Sequence, residues 1–153
     1  MEIHERDVLL RDLTCNNVML DSQGRPWLID FGAALISETW PVQPPMTVGT
    51  PRCLCPEASN RGPLDQRCDY YSFGNLLHEL WHGEQRWAGA AEFAADVADA
   101  IPDPVTEALR RRIRISEAGP CELAFRLLGR EPDTRGDSLQ PYLDRLRTWM
   151  DQH

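Results

Sequence analysis

The sequence predicts one mainly α domain with a small β-hairpin near its N-terminus, an α+β fold in which the sheet is the minor part. Three observations carry this expectation. Two apolar runs, Val18-Met19-Leu20 and Trp27-Leu28-Ile29, flank the turn sequence Asp21-Ser22-Gln23-Gly24, which is the pattern of a hairpin. From Asp69 onward, apolar residues recur at helical spacing at Tyr70, Phe73, Leu76, Leu77 and Leu80. The chain has 153 residues, 42% hydrophobic and 26% charged, which is the composition of a globular domain large enough to bury a core.

In chain order, residues 1 to about 35 hold the hairpin. Residues 37–67 lack periodicity and are rich in Pro, Thr and Cys; they read as a long loop, either ordered or flexible, of a length that is usually functional. The Pro41–Pro45 stretch reads as a stiff spot in that loop rather than a proline-rich ligand. The helix from Asp69 is apolar on most sides and should be deeply buried. Ala90 to Ala100 reads as a second helix, closed by Ile101-Pro102-Asp103-Pro104. Val105 to Ile115 reads as a third, with Arg110-Arg111-Arg112 and Arg114 as a solvated face or, alternatively, a basic docking patch. Cys121 to Leu128 and Leu139 to Met150 are the last helices, separated by the polar turn Gly129-Arg130-Glu131-Pro132-Asp133. Without internal repeats or a low-complexity linker, residues 1–153 form one domain.

With 24 acidic and 16 basic side chains and a net charge of −8, the chain is a poor candidate for non-specific nucleic-acid binding, which needs a basic surface. No apolar run approaches the roughly 20 residues that span a bilayer, and Met1-Glu2-Ile3-His4 is not a secretory signal. The expected location is the cytoplasm or the nucleus. An odd count of five irregularly spaced cysteines suits reduced thiols there, and Cys53-x-Cys55 with Cys68 reads as small buried thiols rather than a metal or redox site. All 16 basic residues are arginine; the sequence contains no lysine.

The informative stretch is Leu10-Arg11-Asp12-Leu13-Thr14-Cys15-Asn16-Asn17, followed after the hairpin by Asp30-Phe31-Gly32. Two carboxylates and a carboxamide on loops flanking adjacent strands make a set of hard oxygen ligands suited to Mg²⁺. Any one of them alone would read as a turn former. Their order and spacing set them apart.

These residues resemble the C-terminal lobe of the eukaryotic-type protein kinase family. Arg11-Asp12-Leu13-x-x-x-Asn17 resembles the catalytic loop and Asp30-Phe31-Gly32 the metal-binding triplet. Gly49-Thr50-Pro51 through Pro56-Glu57 resembles the end of an activation segment, and its Gly-Thr-Pro is similar to the Ser/Thr branch. Asp69-Tyr70-Tyr71-Ser72-Phe73-Gly74 resembles the start of the central helix, and Glu131 to Arg135 the turn whose arginine pairs with the glutamate ending the activation segment. The resemblance implies that Asp12 orients the proton of a protein Ser/Thr hydroxyl, and that Asn17 and Asp30 hold Mg²⁺ against ATP phosphates. Met19 would lie beneath the adenine, resting on Leu76 and Leu80. Thr50 would sit beside Asp12, Glu57 and Arg135 would form a buried ion pair, and Asp69 would hold the catalytic loop. Arg11 implies control by phosphorylation of the activation segment, at Thr47 first and at Thr39 or Ser37 otherwise.

The chain also departs from the family. Leu10 stands where a His is usual, Thr14 where a Lys is usual, and Cys53 and Cys55 where Tyr and Ala are usual. There is no Gly-x-Gly pair to fold over phosphates and no lysine to pair with a helix glutamate. The expectation is a C-lobe lacking its N-terminal lobe, inactive alone, with ATP and Mg²⁺ used only by the complete domain. The missing helix before the catalytic loop would expose Leu76, Leu77 and Leu80 to a protein partner. A rival of another class is a non-catalytic kinase-like binding module. A more distant one is a zinc hydrolase, since His78-Glu79-Leu80-Trp81-His82 is a literal His-Glu-x-x-His, with Glu92 a conceivable third ligand.

Overall fold

The computed structural model describes residues 3–83 and 120–152. The helices expected at Ala90–Ala100 and Val105–Ile115, the arginines at 110–112 and 114, and Glu92 lie outside the described residues. The chain opens with a 3-10 turn at His4–Arg6, then strand β1 (Val8–Leu9), a turn at Cys15–Asn17, strands β2 (Val18–Leu20) and β3 (Pro26–Leu28), and β4 (Leu35–Ile36). It continues through α1 (Pro56–Ser59) and α2 (Arg67–His82) to α3 (Pro120–Leu127) and α4 (Gln140–Met150). The fold is mixed, with helices and two small antiparallel sheets.

The β2–β3 hairpin sets Val18 opposite Leu28, Met19 opposite Trp27 and Leu20 opposite Pro26. Its turn is closed by Asp21, whose Oδ1 accepts from the N–H groups of Gln23 and Arg25 and whose Oδ2 accepts from Arg25 Nε and Trp27 Nε1. The backbone hydrogen bond from Arg25 leads these in holding the Asp21 carboxyl down at about 2. The second sheet pairs β1 with β4, Val8 opposite Ile36 and Leu9 opposite Leu35. Strands of two residues leave no alternation to read, so the sequence gives no sign of it.

Helix α2 is the hub. Its Cys68 and Tyr71 enter one apolar cluster with Leu9, Leu54, Leu64 and Leu128. Its Tyr70 enters a second with Leu123, Leu127 and Leu139, and its Leu76 a third with Leu10 and Leu13. A helix facing three clusters needs apolar residues around most of its circumference. Gly74 allows α3 to come close, because a Cβ there would stand 2.8 Å from Leu127 Cβ. The helix ends at Gly83 in the left-handed conformation, φ 68°, with its N–H on the Glu79 carbonyl.

Two expectations about this helix need correction. Val18 and Leu28 lie against the Leu10–Leu13–Leu76 cluster, whereas Met19 is 57% exposed. Strand alternation turns Val18 down onto Leu76 and Met19 away from it, so Met19 does not rest on Leu76 and Leu80. Leu76 is itself buried, while Leu80 is 68% exposed, so among the described residues the exposed apolar side chains of this helix, Leu80 and Trp81, lie at its end.

The long loop is ordered by an antiparallel bridge between Val42 and Leu64, just after a cis Trp40–Pro41 bond. The reading of all five cysteines as reduced thiols fails for one pair. Cys55 and Cys68 form a disulfide with Cα atoms 5.3 Å apart, while Cys15 and Cys53 are free. A separation of 13 residues carries no pairing signal; packing of α1 against the start of α2 brings the two together. Among the described residues, no helix is long and apolar enough to cross a membrane.

Arg135 is fully buried, and all five of its guanidinium hydrogens are placed. Nε donates to Gly129 O, Nη1 to Glu57 Oε1 and Arg67 O, and Nη2 to Glu57 Oε2 and Arg130 O, at 2.6–2.9 Å. Its Cζ stands 5.0 Å from the centre of the Tyr71 ring. Arg135→Ala should therefore destabilise the chain by roughly 3–5 kcal/mol in urea unfolding, because Glu57 is left as an uncompensated charge; a loss under 1 kcal/mol would contradict this. Asp21 gives a pH signature. Because its folded pKa lies below the ordinary value, its contribution is complete above about pH 5 and is lost as pH falls from about 4 through 2. An NMR titration of its carboxyl should find a midpoint near 2, and one near 4 would refute the turn network.

Candidate active site

The site is built where the segment between β1 and β2 meets the end of the hairpin and the stretch before α1. Asp69, with no exposed surface, accepts hydrogen bonds from the Leu10 N–H on Oδ2 at 2.8 Å and the Arg11 N–H on Oδ1 at 2.9 Å. Its Oδ2 also lies 2.8 Å from His4 Nε2. These contacts hold Arg11 in the left-handed region at φ 63°, which costs a non-glycine residue about 1–3 kcal/mol. Leu10, where the family usually has His, is buried against Leu13 and Leu76.

The bend at Arg11 presents Asp12. Both carboxylate oxygens of Asp12 are fixed: Oδ1 accepts the Thr50 N–H at 2.7 Å and Oδ2 accepts Asn17 Nδ2 at 3.0 Å. Asn17 Nδ2 also donates to the Asp12 carbonyl at 2.9 Å. The carboxamide is thereby oriented with its nitrogen toward Asp12, and its Oδ1 takes no hydrogen bond among the described residues. Thr50 reaches Asp12 through its backbone and not its hydroxyl. The hairpin register brings Asp30 to the same end as Asn17: β2 starts after Asn17, β3 stops at Leu28, and the Ile29 N–H donates to the Asn17 carbonyl. Asp30 follows, exposed, with Oδ1 accepting the Gly32 N–H at 2.7 Å. Asp12, Asn17 and Thr50 are in direct contact, and Asp30 stands at the hairpin end beside Asn17.

Arg11 Nε donates to Ala33 O at 2.6 Å. Burial lowers its pKa, with Asp69 opposing, so the partly buried cation gains from any anion that reaches it. Thr47 is exposed, and its hydroxyl donates to Ala58 O at 3.2 Å. Thr39 is exposed and Ser37 half-buried, with the Ser37 hydroxyl on the Thr39 carbonyl. None of the three hydroxyls makes a hydrogen bond to Arg11.

The site also contains residues that the sequence reading missed. His4 carries no local signal, and only the fold brings it to Asp69, 65 residues away. Gly49 adopts φ 122°, and a Cβ there would stand 2.6 Å from the Arg11 carbonyl oxygen. The free thiols are protonated at neutral pH. Cys15 is raised to about 11, by burial first and then by the charge and hydrogen bond of Glu79, and burial raises Cys53 to about 11. Among the described residues, the grouping with metal-ligand spacing is Cys55, Glu57 and Cys68. Its sulfurs are bonded to each other and its carboxylate is held by Arg135. The His82 side chain lies outside the described residues.

The protein kinase domain family matches residues 1–140. The chain belongs to the protein kinase family. It is 32% identical over 146 residues to the serine/threonine-protein kinase Sgk2 of Rattus norvegicus, covering 93% of this chain and 37% of that protein. It is 33% identical over 143 residues to the cGMP-dependent protein kinase of Toxoplasma gondii, covering 93% of this chain and 14% of that protein. It is 33% identical over 107 residues to the DNA damage-responsive serine/threonine-protein kinase RqkA of Deinococcus radiodurans, covering 67% of this chain and 16% of that protein. The chain thus spans well under half the length of these relatives.

Gly49→Ala is the sharp test of the site's packing. The new methyl would collide with a backbone carbonyl that cannot rotate aside, at a φ that disfavours any side chain. It should destabilise the chain by about 2 kcal/mol or more, and ¹⁵N spectra should show shifts at Arg11, Asp12 and Thr50. Native stability with an unshifted Thr50 amide would contradict the geometry.

Proposed function

We propose that these residues are the C-terminal lobe of a Ser/Thr protein kinase and supply its catalytic-loop and metal-binding side chains. The observation that carries the reading is Asp12, whose carboxylate is held from both sides by the Thr50 amide and the Asn17 carboxamide. Phosphoryl transfer is mainly positioning and charge neutralisation, so a fixed carboxylate is what a substrate hydroxyl needs to be oriented and relieved of its proton.

The donor set suits Mg²⁺ and ATP. Asn17 Oδ1 and the Asp30 carboxylate are hard oxygens at one end of the hairpin, and Asp30 keeps one oxygen without a hydrogen bond among the described residues. Those two residues would hold the ion, which would neutralise charge on the ATP phosphates. Met19, exposed on the upper side of β2, would meet the adenine. Thr50 aligns Asp12, Asp69 holds the loop that presents it, and Arg135 keeps Glu57 and the substrate-facing segment in place. Arg11 would receive a phosphate on the activation segment, with Thr47 the acceptor and Thr39 or Ser37 the substitutes; the segment would then rearrange to bring that phosphate to Arg11. ATP and a protein substrate are the partners, in the cytoplasm or nucleus.

The 153 residues contain no lysine and no Gly-x-Gly pair, so they carry no phosphate clamp of the family's kind. On that ground they do not transfer phosphate by themselves. Among the described residues, no observation favours the zinc hydrolase.

With Mn²⁺–ATP as a paramagnetic probe, the amide signals of Asn17 and Asp30 should broaden, and Asp30→Ala should abolish the effect. Label from γ-labelled ATP should not enter a generic protein substrate above background. Absent broadening would overturn the metal assignment, and incorporation that disappears in Asp30→Ala would overturn the inactivity.

A further inference from the structure

The Cys55–Cys68 disulfide has no role in the chemistry above, yet it sits between the two anchors of the site. Cys55 stands two residues before Glu57, which holds Arg135, and Cys68 immediately precedes Asp69, which holds Leu10 and Arg11. We propose that this disulfide is a two-electron redox latch on the Gly49–Glu57 segment. Oxidised, it clamps that segment to the start of α2; reduced, it loosens the segment and with it the hold of Thr50 on Asp12. Its consequence for catalysis rests on the kinase reading, whereas the structural step does not.

The reason lies in packing. Both cysteines are buried, at 0% and 2% exposure, in a cluster with Leu9, Leu54, Ala58, Leu64, Tyr71 and Leu128. Two thiols must stand at van der Waals separation, farther apart than two bonded sulfurs, so reduction demands extra room in a filled cluster. The weaker wall gives way. Cys68 belongs to the first turn of the 16-residue helix α2, whereas Cys55 is the N-cap of the four-residue helix α1. The displacement therefore falls on the Cys55 side. It is passed on through the turn at Pro51–Cys53, where the Cys53 N–H donates to the Thr50 carbonyl at 2.8 Å and the Ser72 hydroxyl to the Cys53 carbonyl at 3.0 Å.

The step balances with a dithiol as reductant. Its thiolate attacks one sulfur and releases the other as a thiolate, and its second thiol then resolves the mixed disulfide. Two electrons and two protons pass to Cys55 and Cys68, and the dithiol becomes a disulfide. Because both sulfurs are buried, exchange waits on local opening of the segment, so reduction is slow.

The test uses the full chain with and without dithiothreitol. A non-reducing peptide map after iodoacetamide in denaturant should contain the Cys55–Cys68 linked peptide. Reduction should speed amide hydrogen exchange across Thr50–Glu57 by on the order of tenfold while leaving the β2–β3 hairpin unchanged. The Cys55→Ala/Cys68→Ala variant should lose the response to dithiothreitol. An absent linked peptide, exchange at Thr50–Glu57 indifferent to reduction, or an undiminished response in the double variant would each overturn the latch. Should the double variant not fold, the two measurements on the unaltered chain decide the matter. None of the readouts depends on phosphoryl transfer, so failure of the latch is distinguishable from failure of the kinase reading.

Discussion

The structure depends first on one guanidinium. Arg135 spends its five N–H groups on the Glu57 carboxylate and on the carbonyls of Gly129, Arg130 and Arg67. One side chain thereby ties α1, the start of α2 and the turn after α3 into a single unit. A lysine in its place would offer three hydrogens from one point and could not span these acceptors. Burying such a charge is costly, and its place rests on geometry: one side chain satisfies a carboxylate and three carbonyls at once. The Glu57 end of that pair is continuous with the segment that delivers the Thr50 amide to Asp12.

Asp69 repeats the device on the other side of α2. Its carboxylate replaces missing backbone partners for Leu10 and Arg11 and so supports the left-handed bend at Arg11. The bend lets Leu10 point into the core while Asp12 points toward Asn17 and Thr50. A helix buried on several faces can hold both anchors still, which loops alone could not do. Rigid placement of the carboxylate is the quality that phosphoryl transfer asks of a protein.

Much of this was legible in the sequence wherever a local pattern exists. The hairpin is encoded to within one residue, because two apolar runs and a polar turn signal each other at short range. The central helix was found because its apolar residues exceed what an amphipathic surface helix needs. The β1–β4 sheet leaves no sequence signal because two-residue strands have no period, and the side of β2 on which Met19 lies is set by the helix packing beneath. The disulfide escaped for a similar reason: a pairing across 13 residues depends on where α1 lands, not on spacing.

The sequence by itself determined the family and the identity of the chemical groups, since carboxylates and a carboxamide in a fixed order are a one-dimensional pattern read directly from Arg11-Asp12, Asn17 and Asp30-Phe31-Gly32. Only the tertiary structure decided what holds those groups. The bonds from Asp69 to Leu10 and Arg11, from Thr50 to Asp12 and from Arg135 to Glu57 close over separations of 38 to 78 residues. No local propensity encodes such distances. They follow from how three apolar clusters settle around α2, and hydrogen bonds to buried charges are worth making only once that burial has excluded water.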